Sequence, residues 1–321
     1  MSSIAPIPSR GQVLRSGAAA AASLALGRPA LAQTAAPSPT IVGMLVAPDM
    51  ATILYARSQN AFEKAGLNVQ LQQMQNGAAT LAAEVGGSVH IGYANPYTLM
   101  QAFTKGIPVR IISPGGMYQS NAPSIKLVVS GDSTIKTAKD LAGKTIAVPL
   151  LNDMTGLSVL AWLARAGVDA SDVKFLELPP PSMGIALQSK RVDAVEIFEP
   201  FLSALDAGGA RTIGYPFDAI GSGFLTSAWF GIAPWLNDHR DIAKTFASVM
   251  ARSAAYVNVH YKELLPMLAD FSKIPVETLE RMVHSQVPPA PSPSALQPII
   301  DAAVKFQHMQ AFKAEAMIFS A

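Results

Sequence analysis

The sequence predicts an α/β protein of two lobes, and three observations predict it. Short β-branched apolar runs alternate with segments of helical spacing along most of the chain. The chain has 321 residues, and the roughly 289 that follow an N-terminal export segment exceed what one hydrophobic core organises. Half of all residues are hydrophobic, enough to fill two cores.

The export segment comes first. Arg10 and Arg15 precede a small apolar run from Gly17 to Leu26, and Ala30-Leu31-Ala32 precedes Gln33. These are the basic, apolar and cleavage parts of a signal peptide over residues 1–32, cut after Ala32. The apolar run is too short to span a bilayer, which takes about 20 residues. Ser9-Arg10-Gly11-Gln12-Val13-Leu14 has one arginine where a twin-arginine signal has two, so the export route stays open. A linker follows over residues 33–39, with Ala36-Pro37-Ser38-Pro39 as its Pro-rich part.

The first strand is Thr40 to Val46, and a helix from Thr52 to Lys64 stops at Gly66. A strand at 68–72, a helix at 78–85, a strand at 89–92, a helix at 97–104 and a strand at 109–112 repeat the unit. A second series opens with a strand at 125–129 and a helix at 137–141. Strands at 145–148, 173–178 and 192–198 then enclose helices at 155–166 and 183–188. Such alternation predicts mostly parallel sheets. Residues 221–232 read as extended, 238–285 and 295–312 as mainly helical, and the prolines of 287–293 as a loop between helices. The expected domains are lobe 1 from 40–122 plus 225–321 and lobe 2 from 123–224. Crossings near 121–125 and 221–227 join them.

Composition narrows the function. There is no cysteine, which excludes a disulfide, a thiolate metal site and a lipid-anchored form. Net charge is +2, and without Arg10, Arg15 and Arg28 it becomes −1, with no basic cluster to engage nucleic acid. The five histidines, at 90, 239, 260, 284 and 308, have no close metal-ligand spacing. No Gly-x-Ser-x-Gly elbow and no phosphate loop appears. The expectation is a protein that is not an enzyme and carries no cofactor and no metal.

Three segments in order carry a family resemblance. They are Lys105-Gly106-Ile107-Pro108-Val109-Arg110-Ile111-Ile112, then Lys139-Asp140-Leu141-Ala142-Gly143-Lys144-Thr145-Ile146-Ala147-Val148-Pro149, then residues 187–201 with Val192-Asp193-Ala194-Val195-Glu196-Ile197-Phe198-Glu199-Pro200 at their centre. Together with Phe62-Glu63-Lys64-Ala65-Gly66-Leu67, the chain resembles the binding proteins of ABC importers for sulfonates, taurine, nitrate and thiamine-precursor pyrimidines. The resemblance implies the type II periplasmic binding protein fold, a monomer in the periplasm, and delivery of a small-molecule ligand to a membrane permease driven by an ATPase. It also keeps two other classes in view, an enzyme of the thiamine-pyrimidine synthase type and a receptor that presents ligand to a sensor kinase.

In open α/β sheets ligands sit at the carboxyl ends of strands, beside helix N-termini. That rule yields Asp49, Met50, Asn95, Tyr97, Asn152, Asp153, Thr155, Glu196 and Phe198 as ligand-binding candidates. Tyr118 and Trp229 join them as stacking faces, with Tyr93. The set holds three carboxylates and no lysine or arginine. It therefore favours an amine-bearing or neutral heteroaromatic ligand, such as a thiamine-precursor pyrimidine, with an alkanesulfonate or taurine as the alternative.

Overall fold

The structure is a computed structural model and describes residues 38–320. The expected signal peptide and residues 33–37 of the linker lie outside the described residues.

Lobe 1 opens with β1 (Thr40–Met44), a 3₁₀ turn at Pro48–Met50, α1 (Ala51–Ser58) and α2 (Ala61–Lys64). One helix was expected across 52–64. Asn60 takes a left-handed conformation, φ 49, which breaks it, and asparagine tolerates that geometry better than most residues. Next come β2 (Val69–Gln73), α3 (Gly77–Val85), β3 (Gly92–Ala94), α4 (Pro96–Thr104) and β4 (Val109–Gln119). Lobe 2 holds β5 (Ile125–Val129), β6 (Thr145–Val148), α5 (Met154–Arg165), β7 (Lys174–Glu177), α6 (Pro180–Gln188), β8 (Ala194–Phe198), α7 (Phe201–Ala207) and β9 (Arg211–Gly214). The segment 138–141 is a 3₁₀ turn, closed by a capping box between Thr137 and Asp140, and not an α-helix. The chain then returns through β10 (Gly223–Ile232), α8 (Ala233–Asp238), α9 (Arg240–His260), α10 (Leu265–Ser272), α11 (Val276–Arg281) and α12 (Gln297–Lys305).

In lobe 1, β1 pairs in parallel with β2, and β10 runs antiparallel between β3 and β4. A parallel bridge from Val42 to Ile91 ties the two groups of strands together. In lobe 2 the order is β7-β6-β8-β5-β9, with β5 antiparallel to both neighbours. Each sheet thus has one opposing strand, β10 or β5, and each is the strand by which the chain enters that lobe. Hydrophobic runs read the same in either direction, so the expectation of mostly parallel sheets could not say which strands would oppose the rest.

Alternation along these strands fills a core on each face. Trp229 on β10 packs with α1 and α9, while its neighbours Ala228 and Phe230 pack with α4 and α12. On β5, Leu127 and Val129 face α5, while Val128 faces α6 and α7. Burying each large side chain contributes about 1.5–3 kcal/mol. The chain passes between sheets at 120–124 and 215–222, not at 221–227, because residues 223–227 already pair with β4.

Two further departures bear on function. Residues 282–287, expected at the end of a helical stretch, run extended: Met117 bridges Gln286, and Ser285 Oγ accepts from Met117 N at 2.8 Å and donates to Met117 O at 3.0 Å. Asn258 holds the far end, donating to Val287 O at 2.9 Å and accepting from Val287 N at 3.0 Å. The last helix stops at Lys305, and Gln307 is left-handed, φ 59.

Candidate functional site

A cleft of about 680 Å³ lies between the lobes. Lobe 1 supplies the loop after β1, the start of α4, and Thr226 and Ser227 of β10. Lobe 2 supplies the start of α5 and the end of β8 with the residues that follow it. The extended segment 282–287 runs along the wall and contributes Val283, His284 and Ser285.

Three helices that begin at this cleft, α4, α5 and α7, have a first-turn amide held by one of the chain's own side chains, whereas α1, which starts at Ala51, has no side-chain cap. Asn95 Oδ1 accepts from Thr98 N at 2.8 Å at α4, where Pro96 has no amide to offer. At α5, Asp153 Oδ1 accepts from Thr155 N at 2.8 Å, from Thr155 Oγ1 at 2.5 Å and from Gly156 N at 3.3 Å. At α7, Glu199 Oε2 accepts from Ser203 N at 3.1 Å. At α4, α5 and α7, amides of the kind that attract an anion are therefore already engaged, at two of the three by carboxylates.

Asp49 is the lobe 1 carboxylate of the cleft. Its Oδ2 accepts from the Tyr93 hydroxyl and from Ser227 Oγ at 3.0 Å, while its Oδ1 is buried and has no partner. Burial pushes the carboxyl above its ordinary value, and the two donors work against that shift. Tyr261 is pushed up to about 12, mainly by burial and further by the charges of Asp49 and Glu199. His284 stacks on Tyr261 with ring centroids 3.8 Å apart, and its buried Nε2 has no partner. Burial lowers the His284 pKa to about 4, so the imidazole is neutral. Glu199 is raised by burial too, against the opposing pull of Ser203 and of the Val283 backbone. Among the described residues, the lining contains no lysine and no arginine.

Of the eleven candidates from the sequence, Asp49, Asn95, Asp153, Thr155 and Phe198 line the cleft. The other six do not, and their placement corrects the expectation. Met50, Tyr97, Tyr118 and Trp229 are packed inside the lobes, with at most 1% exposure. The Tyr97 hydroxyl lies 2.8 Å from His308 Nδ1, and that of Tyr118 donates to Asp218 Oδ1 at 2.8 Å, so even their polar ends are used elsewhere. Glu196 is fully buried beneath α5, where its Oε1 accepts from Ser158 Oγ at 2.5 Å. Asn152 is exposed, and the cap falls to Asp153 alone. Sequence reasoning missed Tyr261, His284 and Ser285 because their stretch read as helix. Glu199 both caps α7 and lines the cleft.

The chain matches the model of the NMT1/THI5-like family over residues 47–263. A protein of Bacillus subtilis strain 168 named for aliphatic-sulfonate binding is 25% identical over 234 residues, 72% of this chain and 68% of that one. A Brucella abortus protein named as a binding protein is also 25% identical, over 70% of this chain and 68% of its own length. The crystal structure of the periplasmic aliphatic sulphonate binding protein SsuA from Escherichia coli superposes with a TM-score of 0.74 and 19% identity, covering 88% of this chain and 92% of that one. The chain belongs to the NMT1/THI5-like family and has the two-lobed fold of the periplasmic binding proteins.

Proposed function

We propose that this protein is the ligand-capturing component of a bacterial ABC importer. It holds an amine-bearing or neutral heteroaromatic molecule between its lobes without chemical change and passes it to a membrane permease. Family membership and fold support the capturing role. One observation carries the ligand class: among the described residues, the charged side chains lining the cleft are the carboxylates of Asp49, Asp153 and Glu199, and the starts of α4, α5 and α7 are held by the chain's own side chains. Burying an anion among them without a compensating cation is costly.

The names of the Bacillus subtilis and Escherichia coli relatives favour a second reading, an alkanesulfonate. A thermal-shift comparison separates the two. An aminopyrimidine at 100 times its Kd stabilises the folded chain by about 2.7 kcal/mol, and an alkanesulfonate leaves the melting temperature unchanged. Stabilisation by the alkanesulfonate alone reverses the assignment.

A further inference from the structure

The residues lining the cleft include three buried polar atoms that no group among the described residues satisfies, Asp49 Oδ1, Thr52 Oγ1 and His284 Nε2. Buried polar atoms are nearly always hydrogen-bonded, and three orphans lining one cavity mark a place built for a ligand's polar groups. Asp49 is itself fixed by Tyr93 and Ser227 on its other oxygen, so Oδ1 is presented and not free to swing to another donor. His284 is fixed by its stack on Tyr261 and by the neighbouring Ser285 anchor to β4.

Charge adds a second, independent argument. Asp49 stands on lobe 1, Asp153 and Glu199 stand on lobe 2, and among the described residues no lysine or arginine lines the space between them. Tyr261 lines the same space, and the charges of both Asp49 and Glu199 add to the rise of its hydroxyl pKa. Bringing such groups closer in low dielectric costs energy unless a positive charge sits between them. The neutral His284 does not supply one.

We propose that the ligand is a small organic cation, a protonated amine or an amidinium. Its N–H donates to Asp49 Oδ1, an adjacent polar atom meets His284 Nε2, and its charge draws the carboxylates of the two lobes together. The inference rests on the ligand-capturing reading and deepens it by fixing the charge of the ligand. The positive charge then acts as the closing signal: without it the carboxylates hold the lobes apart, and with it they favour the closed clamp.

Three flat probes of one shape and different charge test this on the full chain by isothermal titration: benzamidine, benzamide and benzoate. Benzamidine is expected to bind at least tenfold more tightly than benzamide, a difference of about 1.4 kcal/mol. Benzoate is expected not to bind. Asp49→Asn keeps an oxygen for Tyr93 and Ser227 and is expected to abolish the preference for benzamidine over benzamide. His284→Gln, as a second variant, is expected to weaken benzamidine while leaving its preference over benzoate. Equal or tighter binding of benzamide or benzoate overturns the cation and leaves the capturing reading standing. Failure of all three probes at about 10 mM overturns the cation and counts against an open ligand cleft as well. A benzamidine preference that survives in Asp49→Asn overturns the assignment of Asp49.

Discussion

At the scale of single residues, the buried carboxyls and His284 make opposite demands on pH. Glu196 is raised well above its ordinary value by burial, chiefly offset by the Ser158 hydrogen bond. The folded state therefore holds that proton more tightly than the unfolded chain. Its contribution is fully present below the ordinary glutamate range and is lost as pH rises through the raised value. Glu196→Gln keeps an oxygen for Ser158 and is expected to gain roughly 1 kcal/mol or more over the parent at pH 8, with no gain at pH 4, by denaturant unfolding at both pH values. His284 is depressed to about 4, so the folded state binds its proton less well than the unfolded chain, and stability falls as pH drops from about 6.5 toward 4. Between pH 7.5 and pH 5 the parent is expected to lose roughly 2 kcal/mol relative to His284→Gln in the same measurement. Strand-end geometry made Asp49, Asn95 and Asp153 legible, since each follows an apolar run and precedes a helix. It failed for Tyr97, and the choice of Tyr118 and Trp229 as stacking faces failed as well, because an aromatic reads the same in sequence whether it faces the cleft or the core.

At the scale of elements, two pieces hold the cleft in shape. The start of α5 packs against the loop before it so closely that a Cβ on Gly156 would lie 2.0 Å from the Leu151 carbonyl oxygen. Gly156→Ala is expected to cost about 1–3 kcal/mol by displacing that loop and, with it, the Asp153 cap, as read by thermal unfolding together with probe binding. The extended segment 282–287 is held by Ser285 at one end and Asn258 at the other. Ser285→Ala is expected to cost about 1 kcal/mol in stability and to weaken probe binding more than stability alone predicts, since His284 is its neighbour. Periodicity could not reveal this segment: Met282, Val283 and Val287 continue an apolar spacing compatible with helix, and the structure is decided by Asn258 and Met117, both distant in sequence. The prolines at 288 and 289 were the one local sign, because a residue before proline is pushed toward extended geometry.

At the scale of the whole molecule, two crossings at 120–124 and 215–222 join the lobes. Asp218 on the second crossing ties down the first, with Oδ1 accepting from Tyr118 at 2.8 Å and from Ser120 at 2.5 Å. The two connections are thereby tied to each other, and the proposed closing of the clamp is expected to turn about both together. This architecture was legible in the sequence, because β-branched runs, glycine stops and helical spacing agree with one another along the chain. The opposing strands β5 and β10 were not, because pairing direction depends on where the crossings place each strand. Small-angle scattering from the purified protein tests the clamp most directly. The radius of gyration is expected to fall when a ligand that stabilises the protein is present at saturation, and a radius that stays the same would contradict a closing two-lobed clamp.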